Sequence, residues 1–272
     1  MAMKYKNIMD MHVHTDNSFD GYHSTMYMCE SACESGIRAV AFTDHVESDC
    51  LYDQHYDKTA LQSFFEATKA RSVFNGKMIV CAGIELGEAH YVPENSDKLF
   101  EMYKYDFVLG SIHNLRNMPD FSQLDYSQFD VDALLTEYFN EIYSLAQWGK
   151  IDSLAHLTYP IRYISGVQKI KVDLEKYGKR IDEALSLLAE KDIALEINTS
   201  GLRQKLRKTM PDEDVVLRFR QLGGKLITIG SDAHKAEDIG RGVRKAMDIA
   251  KRCGFDSMAL FQQRQPIEVP IE

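Results

Sequence analysis

The sequence predicts an α/β fold in which parallel strands alternate with helices around a barrel. Short apolar runs alternate with segments of helical periodicity from one end of the chain to the other. Glycines stand just past the ends of several helical segments, at Gly36, Gly76, Gly149 and Gly223 or Gly224, as helix C-termini favour. An open parallel sheet would fit this alternation too. A closed barrel is favoured because polar residues recur at the C-terminal ends of the strands, which gather at one rim only in a barrel.

Seven strands and six helices follow from the pattern. The predicted strands span residues 8–14, 39–45, 78–86, 107–113, 153–156, 194–198 and 226–231. The predicted helices span residues 24–35, 59–74, 131–148, 172–191, 212–222 and 236–251. Pro211, just before two acidic residues, marks the start of the fifth helix. The strands read as continuous apolar runs because parallel strands are covered by helices on both faces.

Composition indicates one globular domain over residues 1–272. The chain is 44% hydrophobic and has the length of a single α/β barrel, with no repeat or low-complexity linker. We expect a cytoplasmic protein, since no apolar run approaches the roughly 18 residues that cross a bilayer and no signal peptide is evident. Five scattered cysteines argue against a disulfide framework. The formal net charge of −9 argues against a protein that coats nucleic acid.

Side chains that bind metals recur at the C-terminal ends of the predicted strands. His12 and His14 end the first strand and point to the same face, because alternate residues of a strand share a face. A second pair with the same spacing, Asp232 and His234, ends the last strand. Further candidates lie at or just beyond other strand ends: Asp20, His45, Glu85, His113 and His156. A core histidine could explain any one of them, but their recurrence predicts a metal site at the C-terminal rim.

The order and spacing of these residues resemble the polymerase-and-histidinol-phosphatase (PHP) superfamily. The resemblance covers essentially the whole chain, and its motifs include His12-X-His14, Thr43-Asp44-His45, Gly83-Ile84-Glu85, Ser111-Ile112-His113 and Ser231-Asp232-Ala233-His234. It implies a distorted, TIM-like (β/α)7 barrel that forms a single PHP metallophosphoesterase domain. Position 20 is Asp where some members have His, an exchange of one ligand type for another.

Carried over position by position, the resemblance implies three divalent metal ions. The implied ligand sets are His12, His14, Glu85 and Asp232 for one ion, Glu85, His113 and His156 for a second, and Asp20, His45 and His234 for a third. Mixed nitrogen and oxygen ligands suit zinc, manganese or iron better than magnesium. The implied reaction is attack of a metal-bridging hydroxide on phosphorus, with Asp232 and His234 as catalytic residues that handle protons.

Two stretches, residues 156–162 and 195–203, resemble the histidinol-phosphate phosphatase branch of the family. Each contributes an arginine to a rim loop, and a guanidinium fork matches two oxygens of a phosphate monoester. We therefore expect Arg162 and Arg203 to bind phosphate. The implied activity is hydrolysis of L-histidinol phosphate to L-histidinol and phosphate in histidine biosynthesis. A small-molecule phosphate monoester is the expected partner, with no nucleic acid and no membrane.

Two other functions stay open at this point. The same centre could act on another small phosphate monoester, a nucleotide or phosphotyrosine. The chain could also be a non-catalytic metal-binding domain, like the inactive PHP modules attached to replicative polymerases; such modules typically lose ligands, whereas none of the nine is missing here.

Several roles are less constrained by the sequence. Asp44 is expected to orient His45 rather than to bind metal. Residues 257–266 alternate loosely and could form a short strand or a lid over the barrel. Four rim-loop residues could meet the amino or imidazole group of the substrate, or could be solvated: Glu47, Asp49, Glu88 and Tyr91.

Overall fold

The computed structural model describes residues 5–272, so the first four residues of the predicted domain lie outside the described part. Parallel strands form an almost closed barrel with seven strand positions, as predicted. The strands are β1 (Met9–Val13), β2 (Ala39–Phe42), β3 (His45–Glu47), β4 (Ile79–Gly87), β5 (Phe107–Ser111), β6 (Ser153–Leu154), β7 (Ala194–Asn198) and β8 (Ile227–Gly230). β2 and β3 pair with successive halves of β4, so together they fill one strand position.

The first and last strands approach each other beyond their C-terminal ends. The amide of His14 donates to the carbonyl of Ala233 at 2.9 Å, and the amide of Asp232 donates to the carbonyl of His12 at 2.8 Å. These bonds nearly close the barrel. They also bring the two pairs of polar residues, one from each end of the chain, to the same point on the rim.

Eight α-helices are described, and most of them cover the outside of the barrel. They are α1 (Thr25–Glu34), α2 (Tyr56–Val73), α3 (Pro93–Met102), α4 (Val131–Trp148), α5 (Gly178–Glu190), α6 (Ser200–Arg203), α7 (Glu213–Gln221) and α8 (Val243–Arg252). The caps of α4 explain its accurate prediction. The Asp130 carboxylate accepts the amides of Asp132 and Ala133, and Gly149 ends the helix with φ at +72°.

Several element predictions were wrong in part. The helix predicted over residues 172–191 begins as a 3₁₀ turn, Leu174–Tyr177, before α5, and the short helix α6 was not predicted. The strand predicted over residues 39–45 is interrupted at Thr43 and Asp44, because the Asp44 side chain turns into a buried hydrogen-bond network. The helix predicted over residues 236–251 is split: a short 3₁₀ turn, Ala236–Asp238, precedes α8. Helix α3 was missed, although Pro93 stands at its first position.

The C-terminal segment forms an antiparallel hairpin of β9 (Ser257–Gln262) and β10 (Gln265–Pro270). Of the two expectations for this segment, the strand is the one observed. The hairpin does not form a lid over the proposed metal ligands. The amide of Arg264 donates to the carbonyl of Asp106, just before β5, and Phe261 stacks on Phe107 with ring centres 5.2 Å apart. The hairpin therefore packs against the N-terminal end of the barrel. Among residues 5–272, no helix is both long enough and apolar enough to cross a membrane.

Candidate metal centre

The two histidines at the C-terminal end of β1, one within the strand and one just beyond it, point inward at the rim of the barrel. His12 and His14 are both fully buried, and their Nε2 atoms lie 3.0 Å apart. This is the geometry expected for alternate residues of a strand that share a face. Two imidazole nitrogens so close to each other need either a proton or a cation between them.

Glu85 occupies the middle of the site. It lies on β4 and is fully buried, and its carboxylate is approached by four imidazoles at 3.2 Å or less. The closest nitrogens are His156 Nε2 at 2.9 Å, His45 Nδ1 at 3.1 Å, and the Nε2 atoms of His12 and His113 at 3.2 Å. Imidazole nitrogens and a carboxylate in such proximity are donors that could together hold divalent transition-metal ions.

The remaining candidates close the site on the solvent side. His234 Nε2 lies 3.2 Å from Asp20 Oδ2, and His45 Nε2 lies 3.7 Å from Asp20 Oδ1. Asp232 Oδ1 lies 3.5 Å from His14 Nε2. All nine side chains predicted from the sequence are thus brought into one continuous cluster.

The donor set fits divalent metal ions. Overlapping triads of the cluster place one ligand atom from each member within 4.8 Å of the others. They are His12, His14 and Asp232; His12, Glu85 and His156; His45, Glu85 and His113; and His14, His45 and His234. In addition, Asp20 Oδ1, His45 Nδ1 and His234 Nε2 are buried and make no well-aligned hydrogen bond, although both imidazole nitrogens lie close to carboxylate oxygens. Buried polar atoms without a partner are uncommon, and a cation would satisfy these three.

The charges of the cluster also favour cations. Burial alone would lower the pKa of His12, but the charges of Glu196 and Glu85 outweigh it and raise that pKa well above its ordinary value. Burial alone would also lower the pKa of His113, but the charges of Glu47 and Glu85 outweigh it and raise that pKa well above its ordinary value. The carboxylates therefore favour positive charge at these imidazole positions. A bound metal ion would supply that charge in place of a proton.

A second layer of buried carboxylates and hydroxyls supports the cluster, and sequence reasoning assigned most of it no role. The Asp44 carboxylate accepts the Thr15 amide at 2.6 Å and the Ser18 hydroxyl at 2.7 Å, and within residues 5–272 none of its hydrogen bonds reaches the His45 ring. The expected role of Asp44 in orienting His45 is therefore indirect: Ser18 Oγ, which donates to Asp44, also accepts the main-chain amide of His45 at 3.1 Å. Asp44 instead holds Ser18, whose Oγ lies 3.2 Å from His14 Nδ1. The nitrogen of His14 that faces the cluster is then Nε2.

Two more buried acids act on the backbone and the rings at the rim. Asp10 accepts the amide and the hydroxyl of Ser231, the residue before Asp232. Glu196, on β7, lies 2.7 Å from His12 Nδ1. Their signal in the sequence is weak: both are acidic residues within apolar strands, a pattern that predicts burial with a partner but does not identify the partner.

The structure distinguishes among the four rim-loop residues whose roles the sequence left undecided. Glu47 lines the cavity and lies 3.1 Å from His113 Nδ1. Glu88 is fully buried behind it and accepts the amides of His113 and Asn114. Burial and the charge of Glu47 raise the pKa of Glu88 well above its ordinary value. Asp49 and Tyr91 do not line the cavity.

The two predicted arginines differ in what they contact. Arg162, in the π-helical turn Arg162–Val167, lines the cavity; its Nε is buried without a hydrogen-bond partner and its Nη1 lies 3.7 Å from Asp232 Oδ2. Arg203, on α6, donates to the carbonyls of Ser231 and Asp232 at 2.8 and 3.1 Å and does not line the cavity. Arg162 faces the cluster, whereas Arg203 supports the backbone behind Asp232.

The cavity above the cluster has a volume of about 150 Å³. Asp120, Tyr159 and Phe19 line its mouth, and the sequence had drawn attention to none of them for this role. The Tyr159 hydroxyl donates to the Asp120 carboxylate, and the Arg162 guanidinium lies 4.5 Å from the centre of the Tyr159 ring. Larger cavities of about 730 and 590 Å³ exist, but they contain none of the nine ligand-type residues.

The fold and the site define an α/β-barrel protein with a centre for divalent metal ions. The model of the PHP domain matches residues 10–200, and the chain belongs to this family. It is 30% identical to a probable histidinol-phosphatase of Thermotoga maritima, over 93% of this chain and 95% of the relative. It is 28% identical to a probable histidinol-phosphatase of Clostridium acetobutylicum, over 94% of this chain and 98% of the relative.

The fold is that of a solved histidinol phosphate phosphatase. The structure of histidinol phosphate phosphatase from Lactococcus lactis, complexed with zinc, L-histidinol and phosphate, superposes with a TM-score of 0.81 at 24% identity. The superposition covers 96% of this chain and 99% of that one. The predicted barrel class is therefore confirmed.

Proposed function

We propose that this protein is a metal-dependent phosphatase that hydrolyses L-histidinol phosphate to L-histidinol and phosphate. The observation that carries the proposal is the convergence of nine ligand-type side chains beside a cavity that Arg162 lines. Relatives named histidinol-phosphatase match the chain over nearly their whole length. This similarity supports the same reaction for this protein, since the whole domain is shared.

The proposed centre holds three divalent ions, of zinc, manganese or iron, on the nine residues predicted from the sequence. Such ions supply Lewis acidity, which offsets phosphoryl charge and makes water acidic enough to react near neutral pH. The contribution of the chain is to fix the ligand orientations. Glu85 lies between the proposed ligands at the end of β1 and those that follow β5 and β6, so it could be shared among the ions.

We propose that Arg162 binds the phosphate of the substrate. Its support is the Nε atom, a buried donor without a partner at the edge of the cavity. Tyr163 accepts from Nη2 at 2.7 Å and so fixes the plane of the guanidinium. We also propose that Arg203 assists phosphate binding, as the sequence predicted. Its positive charge lies behind Asp232 and would attract the same phosphate.

Asp232 and His234 are proposed to handle protons during the reaction. Burial would raise the pKa of Asp232, but the charge of His12 and a hydrogen bond from His14 lower it well below its ordinary value. The carboxylate is therefore held in its ionised form, and the proposed role in proton transfer rests on its position in the cluster. His234 Nδ1 lies 3.1 Å from the Asp232 carbonyl, which leaves Nε2 directed toward Asp20.

The cationic end of the substrate requires a carboxylate at the mouth of the cavity, and we propose that Asp120 provides it. Two hydrogen bonds from neighbouring groups, the Ser122 amide and the Tyr159 hydroxyl, already orient its oxygens. Tyr159 links Asp120 to Tyr163 at 3.2 Å and thereby to Arg162. One hydrogen-bonded chain thus connects the phosphate end of the site with the ammonium end.

A comparison of substrates tests the proposal. Metal-loaded protein is assayed with L-histidinol phosphate and with a panel of nucleotides, phosphotyrosine and small phosphate monoesters. We expect the highest kcat/KM for L-histidinol phosphate. If another monoester has a clearly higher kcat/KM, the proposed substrate is wrong, but the proposed phosphatase reaction stands.

A variant then tests whether the cluster carries the activity. We expect His12→Ala to lose nearly all phosphatase activity and part of the bound metal. His55→Asn is the matched control, because His55 is exposed and its left-handed backbone conformation tolerates Asn. An unchanged rate in His12→Ala would favour a non-catalytic metal-binding domain.

A further inference from the structure

Glu196 is a fully buried carboxylate that is not a member of the nine-residue cluster. It lies on β7, between β6, which leads to His156, and β8, which leads to Asp232 and His234. Its Oε1 lies 2.7 Å from Nδ1 of His12. Its Oε2 accepts the amide of His156 at 2.8 Å and the side-chain amide of Asn198 at 3.2 Å.

Both oxygens of Glu196 are therefore used within the protein, and neither is free for a cation. The contact with His12 engages the nitrogen that points away from the cluster, since Nε2 is the atom near His14 and Glu85. A carboxylate at Nδ1 requires the proton of the imidazole to reside there. Nε2 then presents its lone pair to the centre of the site.

The surrounding backbone is shaped for this contact. A Cβ atom on Gly230 of β8 would lie 2.3 Å from Glu196 Oε1 and 2.3 Å from the His12 Cβ, closer than real Cβ contacts allow. Only glycine at this position leaves room for the carboxylate and the imidazole side by side. The pair thus depends on residues from three strands, β1, β7 and β8.

We propose that Glu196 is a positioning residue that sets His12 in the Nδ1–H tautomer and, through its second oxygen, holds the backbone of His156 in register. A single side chain would then fix two ligands of the metal centre, one by its ring and one by its main chain. The inference rests on the proposed metal centre, but zinc binding can be measured without reference to phosphatase activity.

The variant Glu196→Gln tests the inference. Glutamine has nearly the same shape but only one acceptor oxygen, so it can serve either His12 Nδ1 or the His156 amide. Binding of Zn²⁺, measured by competition with a chromophoric chelator, is expected to weaken about 10- to 100-fold. Asp106→Asn is the matched control: Asp106 is also buried and accepts the Ala82 amide, but at the opposite end of the barrel. We expect this control to bind Zn²⁺ as the wild type does.

A spectroscopic measurement separates positioning from general stability. In zinc-loaded protein labelled with ¹⁵N-histidine, His12 should show a protonated Nδ1, assigned by its absence in His12→Asn. We expect this signal to shift or broaden in Glu196→Gln and to persist in Asp106→Asn. If Glu196→Gln does not fold, Glu196→Asp takes its place, with weaker Zn²⁺ binding expected because the shorter side chain cannot reach both partners.

Zinc affinity within twofold of wild type in the folded variant, or an unchanged His12 signal, would overturn the inference. Wild-type protein that binds no Zn²⁺ would overturn both this inference and the proposed centre. A wild type that binds Zn²⁺ tightly but hydrolyses no phosphate monoester would remove the proposed function alone, and the role of Glu196 would stand.

Discussion

Arg162 carries the positive charge that faces the cavity. Its surroundings leave the Nε donor without a hydrogen-bond partner. The side chain is stacked on Tyr159 and hydrogen-bonded to Tyr163, so its guanidinium plane is fixed before any substrate arrives. A preorganised donor contributes more to a charged transition state than a mobile one, because it needs no reorientation during the reaction.

The first prediction concerns the guanidinium group of Arg162. Arg162→Lys keeps the positive charge but loses the planar pair of donors and the stacking, so we expect kcat/KM for L-histidinol phosphate to fall about 100-fold. Steady-state kinetics on the metal-loaded protein measure the effect. Arg207→Lys is the control, because Arg207 is exposed and does not line the cavity. A loss of less than about threefold in Arg162→Lys would exclude direct phosphate binding.

The second prediction concerns the mouth of the cavity. Asp120→Asn removes the charge proposed to meet the substrate ammonium, so we expect kcat/KM for L-histidinol phosphate to fall about 10- to 100-fold. For a monoester without a positive charge, such as phenyl phosphate, the change should be small. Asp125→Asn, an exposed carboxylate that caps the next turn, serves as the control. Equal losses for both substrates would show that Asp120 acts only on the structure of the loop.

At the scale of elements, the β9–β10 hairpin illustrates a division between the two ends of the barrel. Arg264, in the turn of the hairpin, reaches the buried Asp152 carboxylate at 3.0 Å and the Lys150 carbonyl at 2.7 Å. These contacts lie before β6, at the end of the barrel opposite the metal centre. The hairpin should therefore contribute to stability and leave the chemistry untouched.

The third prediction tests that division. Arg264→Gln leaves Asp152 buried with a weaker partner, so we expect the free energy of unfolding in urea to fall by about 1–3 kcal/mol. The kcat/KM at 25 °C should match that of the wild type. Lys225→Gln breaks an exposed ion pair with Asp192 and should cost less than about 1 kcal/mol. A drop in kcat/KM without a drop in stability would contradict this assignment of the hairpin.

Sequence reasoning succeeded for elements whose pattern is local. Strand β7 (Ala194–Asn198) and helix α4 (Val131–Trp148) were predicted with their observed bounds, because an apolar run and a pair of caps mark them. The interruption at Asp44 could not be predicted, since its cause is a set of hydrogen bonds to Thr15, Ser18 and Ser63, far away in the sequence. The position of the hairpin likewise depends on tertiary contacts.

The same distinction holds for the site. Residues that bind metals follow a recognisable spacing at strand ends, so the nine candidates could be found before the fold was known. Glu196 and Asp120 carry no such spacing: one is an acid in a buried strand, and the other belongs to a long loop. Their partners, His12 and Tyr159, are set by the closure of the barrel and by the path of that loop. Contacts of this kind exist only in the folded chain.

At the scale of the whole molecule, the metal centre joins strands that are distant in the sequence. β1 and β8 meet at the rim through a few backbone bonds, and the proposed ligands His12, His14 and Asp232 lie directly at this junction. Ions bound there would link the two ends of the barrel. Because they bind the folded state and have few partners in the unfolded chain, they stabilise the fold.

The fourth prediction combines this linkage with pH. In metal-free protein the pKa of His12, His113 and His234 is raised by neighbouring carboxylates that outweigh burial, whereas the pKa of His14 and His45 is lowered by burial. The first three imidazoles contribute stability that is fully present below the unfolded value of about 6.5 and is lost as pH rises through their higher folded values. Metal ions must displace these protons, so binding of metal should release protons and become tighter as pH rises.

We therefore expect the difference in Tm between zinc-loaded and chelator-treated protein to widen from about pH 6 to about pH 8. Differential scanning fluorimetry measures the difference, and calorimetric titration with Zn²⁺ in buffers of different ionisation enthalpy counts the protons released. A gap in Tm that stays constant or narrows over this range would show that the imidazoles are already neutral in the metal-free protein. The negative charges of Glu85 and Glu196 would then be too weak to keep the neighbouring imidazole of His12 protonated.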